Sequence, residues 1–446
     1  MLMRMAPNVI IIVCDTLRRD AVSVYDKSAK TPFLSKFARD AVVYDNAVAP
    51  SSWTFPSHVS LFTGMYQNRH RIHESRTDKL PQIIDMHNGL KAETLPEYMR
   101  SLGYNTVGIS NNIGVSRFTG FDRGFDTFFN LETSPWWQGE EVKRARELGA
   151  NVSDVVKELI KQGRLMDIYS YAKAYMKIMT LVKATNYPIN KGIELTNNIL
   201  FNGSFGPNFF MFINLMEMHE PYVGYSDKEA TEDFAGIRPI TKERVRYLKR
   251  QYASEAEYMD SKLEETISML KARGLYDDSL IIITSDHGQA FYEHQFLFHE
   301  IYLYDEIIRI PLMIKYPNGK RYKKRKGYQS LVNIKRLVKD VIEGGDDSSL
   351  YSDSVFSEAY GNTRNTPSSY SARLDYINEK YEKHRKCVYR DGYKLTVNGT
   401  DRTIEEFTKD GKEISTDDRK HRPVAIELLR EIEKFKGSEK FPMPSL

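Results

Sequence analysis

Asn8-Val9-Ile10-Ile11-Ile12-Val13-Cys14-Asp15 is an unbroken apolar run, rich in β-branched side chains, that ends on a carboxylate. Such a run fits a parallel strand covered on both faces better than an alternating, half-exposed one. Leu280-Ile281-Ile282-Ile283-Thr284 repeats the pattern and delivers Ser285-Asp286-His287-Gly288. In an open parallel sheet, polar groups that follow the strands collect at their carboxyl ends, where such sheets bind ligands. Asn105-Thr106-Val107-Gly108-Ile109 and Phe209-Phe210-Met211-Phe212-Ile213 read as further strands, the first leading to Asn111 and the second to Glu217 and His219. An α/β fold with a mainly parallel sheet follows.

Thr54, in Ser51-Ser52-Trp53-Thr54-Phe55-Pro56-Ser57-His58, precedes a helical pattern through Val59, Leu61 and Phe62. Pro56 suits the first turn of that helix, so Thr54 sits near a positive helix N-terminus. Two readings are open: a helix cap, a common role for Thr, or a nucleophile. A secondary alcohol needs a metal ion or a base to react at neutral pH. Asp15, Asp286, His287 and the Thr54 oxygen form a donor set that suits a divalent ion such as Mn²⁺ or Zn²⁺, with Ca²⁺ possible but less suited.

Taken in order, these motifs resemble the sulfatase family of the alkaline phosphatase superfamily. Asp15-Thr16-Leu17-Arg18-Arg19-Asp20 is similar to the family's opening metal motif, although many members carry a second Asp where Thr16 stands. Thr31-Pro32-Phe33-Leu34, Asn46-Ala47-Val48-Ala49-Pro50 and Thr63-Gly64-Met65-Tyr66 resemble the segments around the nucleophile. Met218-His219-Glu220-Pro221-Tyr222 is similar to the His-x-Pro-Tyr element, and Ser285-Asp286-His287-Gly288 to the second metal motif. Phe298-His299-Glu300, with Leu303-Tyr304-Asp305-Glu306 and Arg309-Ile310-Pro311-Leu312, resembles the segment that brings a basic residue to the leaving group. The nucleophile motif usually reads Cys or Ser, any residue, Pro, Ser, Arg; here Thr54 takes the first position and His58 the last.

The resemblance implies a three-layer α/β/α sandwich with a small C-terminal α+β domain. It also implies a metal-dependent hydrolase of a sulfate or phosphate ester, acting on a small-molecule, glycan or lipid ester. Thr would give a ketone and not formylglycine, so an unmodified hydroxyl is expected to attack; this and the Asp286-His287 pair favour a phosphoester, as in the Thr-nucleophile, single-metal branch. His219 and His299 are expected as electrostatic clamps or general acids. His58 is grouped with the catalytic residues, with anion binding, orientation of Thr54 or neither as its open roles. The alternatives are transfer to an acceptor hydroxyl and a degenerate sulfatase that binds anionic glycans or lipids.

The chain has 446 residues, enough for one major domain and a smaller appendage. Lys and Arg number 64 against 60 Asp and Glu, a balance that gives no reason to expect nucleic acid. The basic run Lys320-Arg321-Tyr322-Lys323-Lys324-Arg325-Lys326 reads as a solvated loop. Cys14 and Cys387 imply no disulfide scaffold. The core strand starts directly after Met1 to Pro7, leaving no room for a leader, and no stretch reaches the length of a membrane span; a cytoplasmic location is the expectation. Residues 1–347 are expected to form the catalytic domain, with a helical insertion at 134–205 that includes helix-rich stretches at 142–148 and 155–181. Residues 348–446 form the C-terminal domain, joined at Gly344 to Ser349. Asp391-Gly392 between two alternating runs signals a hairpin, a long helix is expected from about Lys242 to Arg273, and a last helix from about Val424 to Phe435.

Overall fold

The computed structural model describes residues 6–73, 80–130, 190–206, 208–225, 227–361 and 373–446. The expected helices at 142–148 and 155–181 lie outside these residues; of the expected insertion, the helix Ile193–Asn202 is described.

Seven strands form the central sheet: β1 (Val9–Cys14), β2 (Val42–Tyr44), β3 (Asn105–Ser110), β4 (Thr127–Asn130), β5 (Phe209–Leu215), β6 (Leu280–Thr284) and β7 (Leu312–Lys315). Their order is β2-β7-β6-β1-β5-β3-β4. β6, β1, β5, β3 and β4 run parallel, and β7 runs antiparallel to both β6 and β2. Every residue of β1, β5 and β6 is buried, as expected of parallel strands with helices on both faces. Helices α1 (Thr54–Thr63) and α2 (Lys242–Ala272) are among those that pack around the sheet. The Thr241 hydroxyl caps α2 by accepting from the Arg244 N–H, and Gly274, at φ +65°, follows its end.

A separate antiparallel sheet holds β8 (Ser354–Tyr360), β9 (His384–Arg390), β10 (Tyr393–Asn398), β11 (Thr403–Lys409) and β12 (Lys412–Glu413). Asp391 (φ +49°) and Gly392 (φ +79°) close the β9–β10 hairpin, both in the left-handed region that a two-residue type I′ turn requires. The two-residue period of a strand splits β9 between two cores. Cys387 and Tyr389 face the main core, whereas Val388 joins Leu395, Val397 and Phe407 beneath Leu428 and Ile432 of α3 (Arg422–Lys436). The Gly344–Ser349 stretch is pinned at Asp347, whose buried Oδ2 accepts from Tyr44 Oη at 2.9 Å. The basic run is engaged in part, with Lys324 on Asp45, Arg325 on Asp346 and Lys326 on Asp391.

Candidate active site

β1 and β6 are neighbours, with Val13 opposite Thr284, so the next residues bring Asp15 and Asp286 to the same level at the carboxyl edge of the sheet. Adjacent strands lie roughly 4.8 Å apart, close enough for the charge of Asp286 to act on Asp15. Asp286 Oδ1 accepts from the N–H of Thr16 (3.2 Å) and of His287 (2.9 Å). Thr16 reaches it only by adopting φ +58°, an uncommon conformation for a β-branched residue, and one that costs of the order of 1–3 kcal/mol. Asp15 Oδ2 accepts from Asn112 Nδ2 at 2.7 Å and lies 3.2 Å from Thr54 Oγ1. His287 donates its Nδ1–H to the Gly288 carbonyl (2.9 Å), which leaves the lone pair on Nε2, 3.2 Å from Thr54 Oγ1 and 3.4 Å from Asp286 Oδ2.

Burial pushes the Asp15 carboxyl up to about 6, with the charge of Asp286 adding to the effect. Burial likewise pushes Asp286 up to about 6, against the pull of its two backbone donors. Burial lowers the His287 imidazole, outweighing the attraction of Asp15, and so favours its neutral form. Asp15 Oδ1, Asp286 Oδ2 and Thr16 Oγ1 are buried with no hydrogen-bond partner. Orphaned carboxylate oxygens beside a neutral imidazole lone pair are a costly arrangement in a protein interior. They are also the donors that a divalent cation takes, and Asp15, Asp286 and His287 each place a ligand atom within 4.8 Å of the others.

Thr54 is the first residue of α1, and the capping position belongs to Trp53, which makes no side-chain cap bond. The Thr54 hydroxyl therefore turns to Asp15 and His287 and does not cap the helix. His58, one turn on, is fully buried. Its Nδ1–H donates to the Thr54 carbonyl (2.8 Å) and its Nε2 accepts from Asn214 Nδ2 (3.1 Å). Burial lowers its pKa to about 4. Of the roles left open for His58, this geometry matches orientation of Thr54: both ring nitrogens are engaged inside the protein, Nδ1 lies 3.7 Å from Asp286 Oδ2, and the ring braces the turn that carries Thr54.

His219 and His299 meet across the site, ring centroids 5.2 Å apart, with His299 also 4.5 Å from His287. His299 Nδ1–H donates to Gln289 Oε1 (2.6 Å), and Gln289 Nε2 donates to Glu220 Oε2 (2.9 Å). Phe298 and Glu300 on either side of His299 both have φ +87°. The strained loop is tied to the turn before Thr54 by Glu300 N–H to the Ser52 carbonyl (2.8 Å) and by the Ser52 hydroxyl to the Glu300 carbonyl (2.5 Å). Glu217 stands apart from this cluster, and its Oε1 accepts from the N–H of Lys191 and Ile193 at the start of the helix Ile193–Asn202.

Sequence reading did not find Asn112, Asn214, Glu220 or Gln289. The sequence leaves Asn111 open between a substrate contact and a turn residue, and it is the neighbouring Asn112 that holds Asp15. The signal for Asn214 is present in the chain, a lone amide directly beyond the apolar run that the sequence marks as strand. His70 is a buried structural histidine, 3.1 Å from Ser60 Oγ, and His73 stacks on Tyr360.

The sulfatase family profile matches residues 7–338, most of the chain. The chain belongs to the sulfatase family. It is similar to mouse (Mus musculus) iduronate 2-sulfatase, 24% identical over 70% of this chain and 60% of that protein. Choline-sulfatase of Rhizobium meliloti is 23% identical over 70% of this chain and 63% of its own length. The matched stretch thus spans less than two thirds of either relative. The solved phosphonate monoester hydrolase of Agrobacterium radiobacter shares the fold, with TM-score 0.67 at 16% identity over 99% of this chain and 100% of that one. The sulfatase fold accounts for the three-layer core and the C-terminal sheet. Sulfatases generally use a divalent metal ion, and the Asp15, Asp286 and His287 donors fit one. Among the described residues no helix is long and apolar enough to cross a membrane.

Proposed function

We propose that this sulfatase-family chain is a metal-dependent hydrolase of a phosphate or sulfate ester, with the unmodified Thr54 hydroxyl as nucleophile and a phosphoester preferred. The observation that carries this reading is the position of Thr54 Oγ1, 3.2 Å from both Asp15 Oδ2 and His287 Nε2. A divalent cation held by Asp15, Asp286 and His287 would lower the pKa of the hydroxyl and attract an anionic ester. Thr54 Oγ1 gives its proton to solvent and attacks phosphorus or sulfur, a bond from Oγ1 forms, and the bond to the ester oxygen breaks in line. The ester oxygen takes a proton from His219 or His299, the general-acid candidates on that side, and departs as the alcohol. Water then attacks the same phosphorus or sulfur, gives one proton to Thr54 Oγ1 and the other back to the general-acid histidine, and releases sulfate, phosphate or, from a diester, the phosphate monoester.

Two features favour phosphorus over sulfur. Thr54 cannot be converted to formylglycine, the nucleophile of sulfatases of the usual kind. The Asp286-His287 pair also matches the Thr-nucleophile, phosphoester-directed branch of the superfamily. Sulfate remains the substrate class named for iduronate 2-sulfatase and choline-sulfatase.

The test is hydrolysis of an aryl sulfate, an aryl phosphate and a bis-aryl phosphodiester by wild type and Thr54→Ala after loading with Mn²⁺, Zn²⁺ or Ca²⁺. Metal-dependent turnover of a phosphoester, lost in Thr54→Ala, is the expected result. Turnover unchanged by the substitution would remove Thr54 from the chemistry, and preference for the aryl sulfate would reverse the choice of ester.

A further inference from the structure

Beside β2, at the carboxyl edge of the central sheet, Arg19 and Arg309 gather around Tyr25. The Arg19 guanidinium lies over the Tyr25 ring, 4.5 Å from its centroid. Tyr25 Oη donates to the Tyr44 carbonyl at 3.0 Å and accepts from the Leu312 N–H at 3.0 Å, so the ring bridges β2 and β7. Arg309 donates from Nη2 to the Asp45 carbonyl at 2.8 Å and to Asn46 Oδ1 at 3.2 Å. We infer that the two arginines form an oxyanion-binding site, of the class that takes a doubly charged phosphate or sulfate group.

No carboxylate answers either guanidinium. Among the described residues the Arg19 side chain makes no hydrogen bond and no ion pair, and Arg309 makes no ion pair. The carboxylates around them are engaged by other cations: Asp20 by Arg18 at 2.5 Å, Asp45 by Lys324 at 2.6 Å and Asp305 by Lys394 at 2.9 Å. Burial holds the Arg19 guanidinium below its ordinary value, and the charge of Arg309 adds to this ahead of the opposing pull of Asp45 and Asp20. Both Nε–H groups are buried without an acceptor. Unsatisfied buried donors are uncommon in a native fold and call for a water or an ion. Two like charges held together at half-buried positions are offset by a doubly charged anion, whereas a single carboxylate would balance only one.

Both guanidiniums are also held in place. Stacking on Tyr25 supports Arg19 by its face and leaves its N–H groups, which lie on the edge, directed outward. Arg309 is fixed through Nη2 alone, so Nη1 keeps its donors. Pre-organised forks of this kind match the oxygens of a phosphate or sulfate group. Asp20 and Asp45 beside them are exposed, so the pair opens to solvent.

The sheet separates this pair from the metal donors. Val13, Thr284, Leu312 and Tyr44 share one row across β1, β6, β7 and β2, which brings Asp15 and Asn46 to the same edge. Three strand spacings part them, roughly 14 Å. The arginine site thus shares a rim with Thr54 and not its ligands. Free inorganic phosphate or sulfate, or a charged group on a larger molecule, supplies the same chemistry there. Neither source requires Thr54 to be a nucleophile.

Isothermal titration with inorganic phosphate tests this on the metal-loaded full chain, in wild type, Arg19→Gln, Arg309→Gln and Asp286→Asn. Binding is expected to persist in Asp286→Asn and to weaken by about tenfold or more in each arginine variant, the loss of a charge-assisted bond. Inorganic sulfate and phenylphosphonate, whose P–C bond resists hydrolysis, are titrated alongside. Phenylphosphonate bound as tightly as phosphate assigns the site to an oxyanion carried on a larger molecule; tight binding of the inorganic ions alone assigns it to the free anion. Arg19 makes no bond within the chain, so Arg19→Gln in chloride buffer is expected to melt at or above the wild-type temperature and to lose the rise that phosphate gives wild type. An equal phosphate-induced rise in the two proteins would overturn the proposal. So would a variant that melts well below wild type in chloride, since the Arg19 charge would then be compensated within the chain. Phosphate binding abolished in Asp286→Asn would overturn it as well, leaving the metal centre as the anion site.

Discussion

Asn214 Nδ2 lies 3.1 Å from His58 Nε2, joining the end of a central strand to the helix that carries Thr54. The same ring holds the Thr54 carbonyl from its other side at 2.8 Å, so one fully buried imidazole fixes the first turn of α1 against β5. His58→Ala is expected to leave a cavity and orphan the Asn214 amide, at a cost of about 2–4 kcal/mol. Urea denaturation would read this loss. A substrate-contacting His58 would instead leave stability unchanged and raise KM alone.

Thr54→Ser keeps an oxygen between Asp15 and His287 and removes only a methyl group. Turnover is expected to fall by no more than about tenfold, whereas Thr54→Ala should lose about a thousandfold or more, about 4 kcal/mol of barrier. Both variants should retain their metal. Initial rates with the preferred ester and metal analysis on the same preparations decide it; equal loss in the two variants would mean that the hydroxyl is not the attacking group.

The Asp15 and Asp286 carboxyls stand at about 6 in the folded, metal-free chain against an ordinary 3.8. Between these values the folded state holds protons that the unfolded state has released. The stability of the metal-free chain therefore declines as pH rises through that window and is lowest above it. A divalent cation needs both groups as carboxylates, so its stabilising effect grows with pH through the same window. Thermal melts with and without Mn²⁺ should show a larger metal-induced rise at about pH 7.5 than at about pH 5. An equal rise at both would detach metal binding from this pair.

Much of this arrangement was legible in the chain, for reasons that are local. A β-branched run ending in Asp15, a second ending in Asp286-His287, and Asp391-Gly392 between alternating runs each encode their structure within a few residues. The role of His58 depends instead on which way a helix faces, and Arg was the expected occupant. Asn112 and Asn111 differ by one position after β3, and the Asx turn in which Asn112 Oδ1 accepts from Gly114 N–H at 2.7 Å sends the second, not the first, toward Asp15. Glu220 and Gln289 are 69 residues apart and meet only in three dimensions.

Lys386 is fully buried on β9, where its Nζ pairs with Glu358 and reaches Glu439 Oε2 and Tyr360 Oη at 2.9 Å. Glu358 Oε1 in turn accepts from the Asn68 N–H at 3.0 Å, which ties the C-terminal sheet to the segment after α1. Removing the cation leaves a buried carboxylate uncompensated, a change that typically costs about 3–5 kcal/mol. Lys386→Ala should therefore destabilise the chain strongly and expose the C-terminal sheet to limited proteolysis. Wild-type-like melting of the variant would show that the pair contributes nothing net.

Asn112 donates to Asp15 Oδ2 at 2.7 Å and is held in place by its own bond from Gly114, so it orients a carboxylate that the Thr54 hydroxyl also approaches. Partners of this kind typically contribute about 10–100-fold to metal affinity. Asn112→Ala is expected to weaken Mn²⁺ binding by about that factor, because Asp15 gains freedom to turn away from Asp286. Asn111→Ala is the control: its side chain packs where a Cβ on Gly192 would stand, 2.4 Å from its Cγ, and it makes no bond to Asp15 among the described residues. Isothermal titration of both variants with Mn²⁺ separates the two neighbours. Equal weakening would mean that the loop as a whole, and not the Asn112 amide, holds the Asp15 carboxylate.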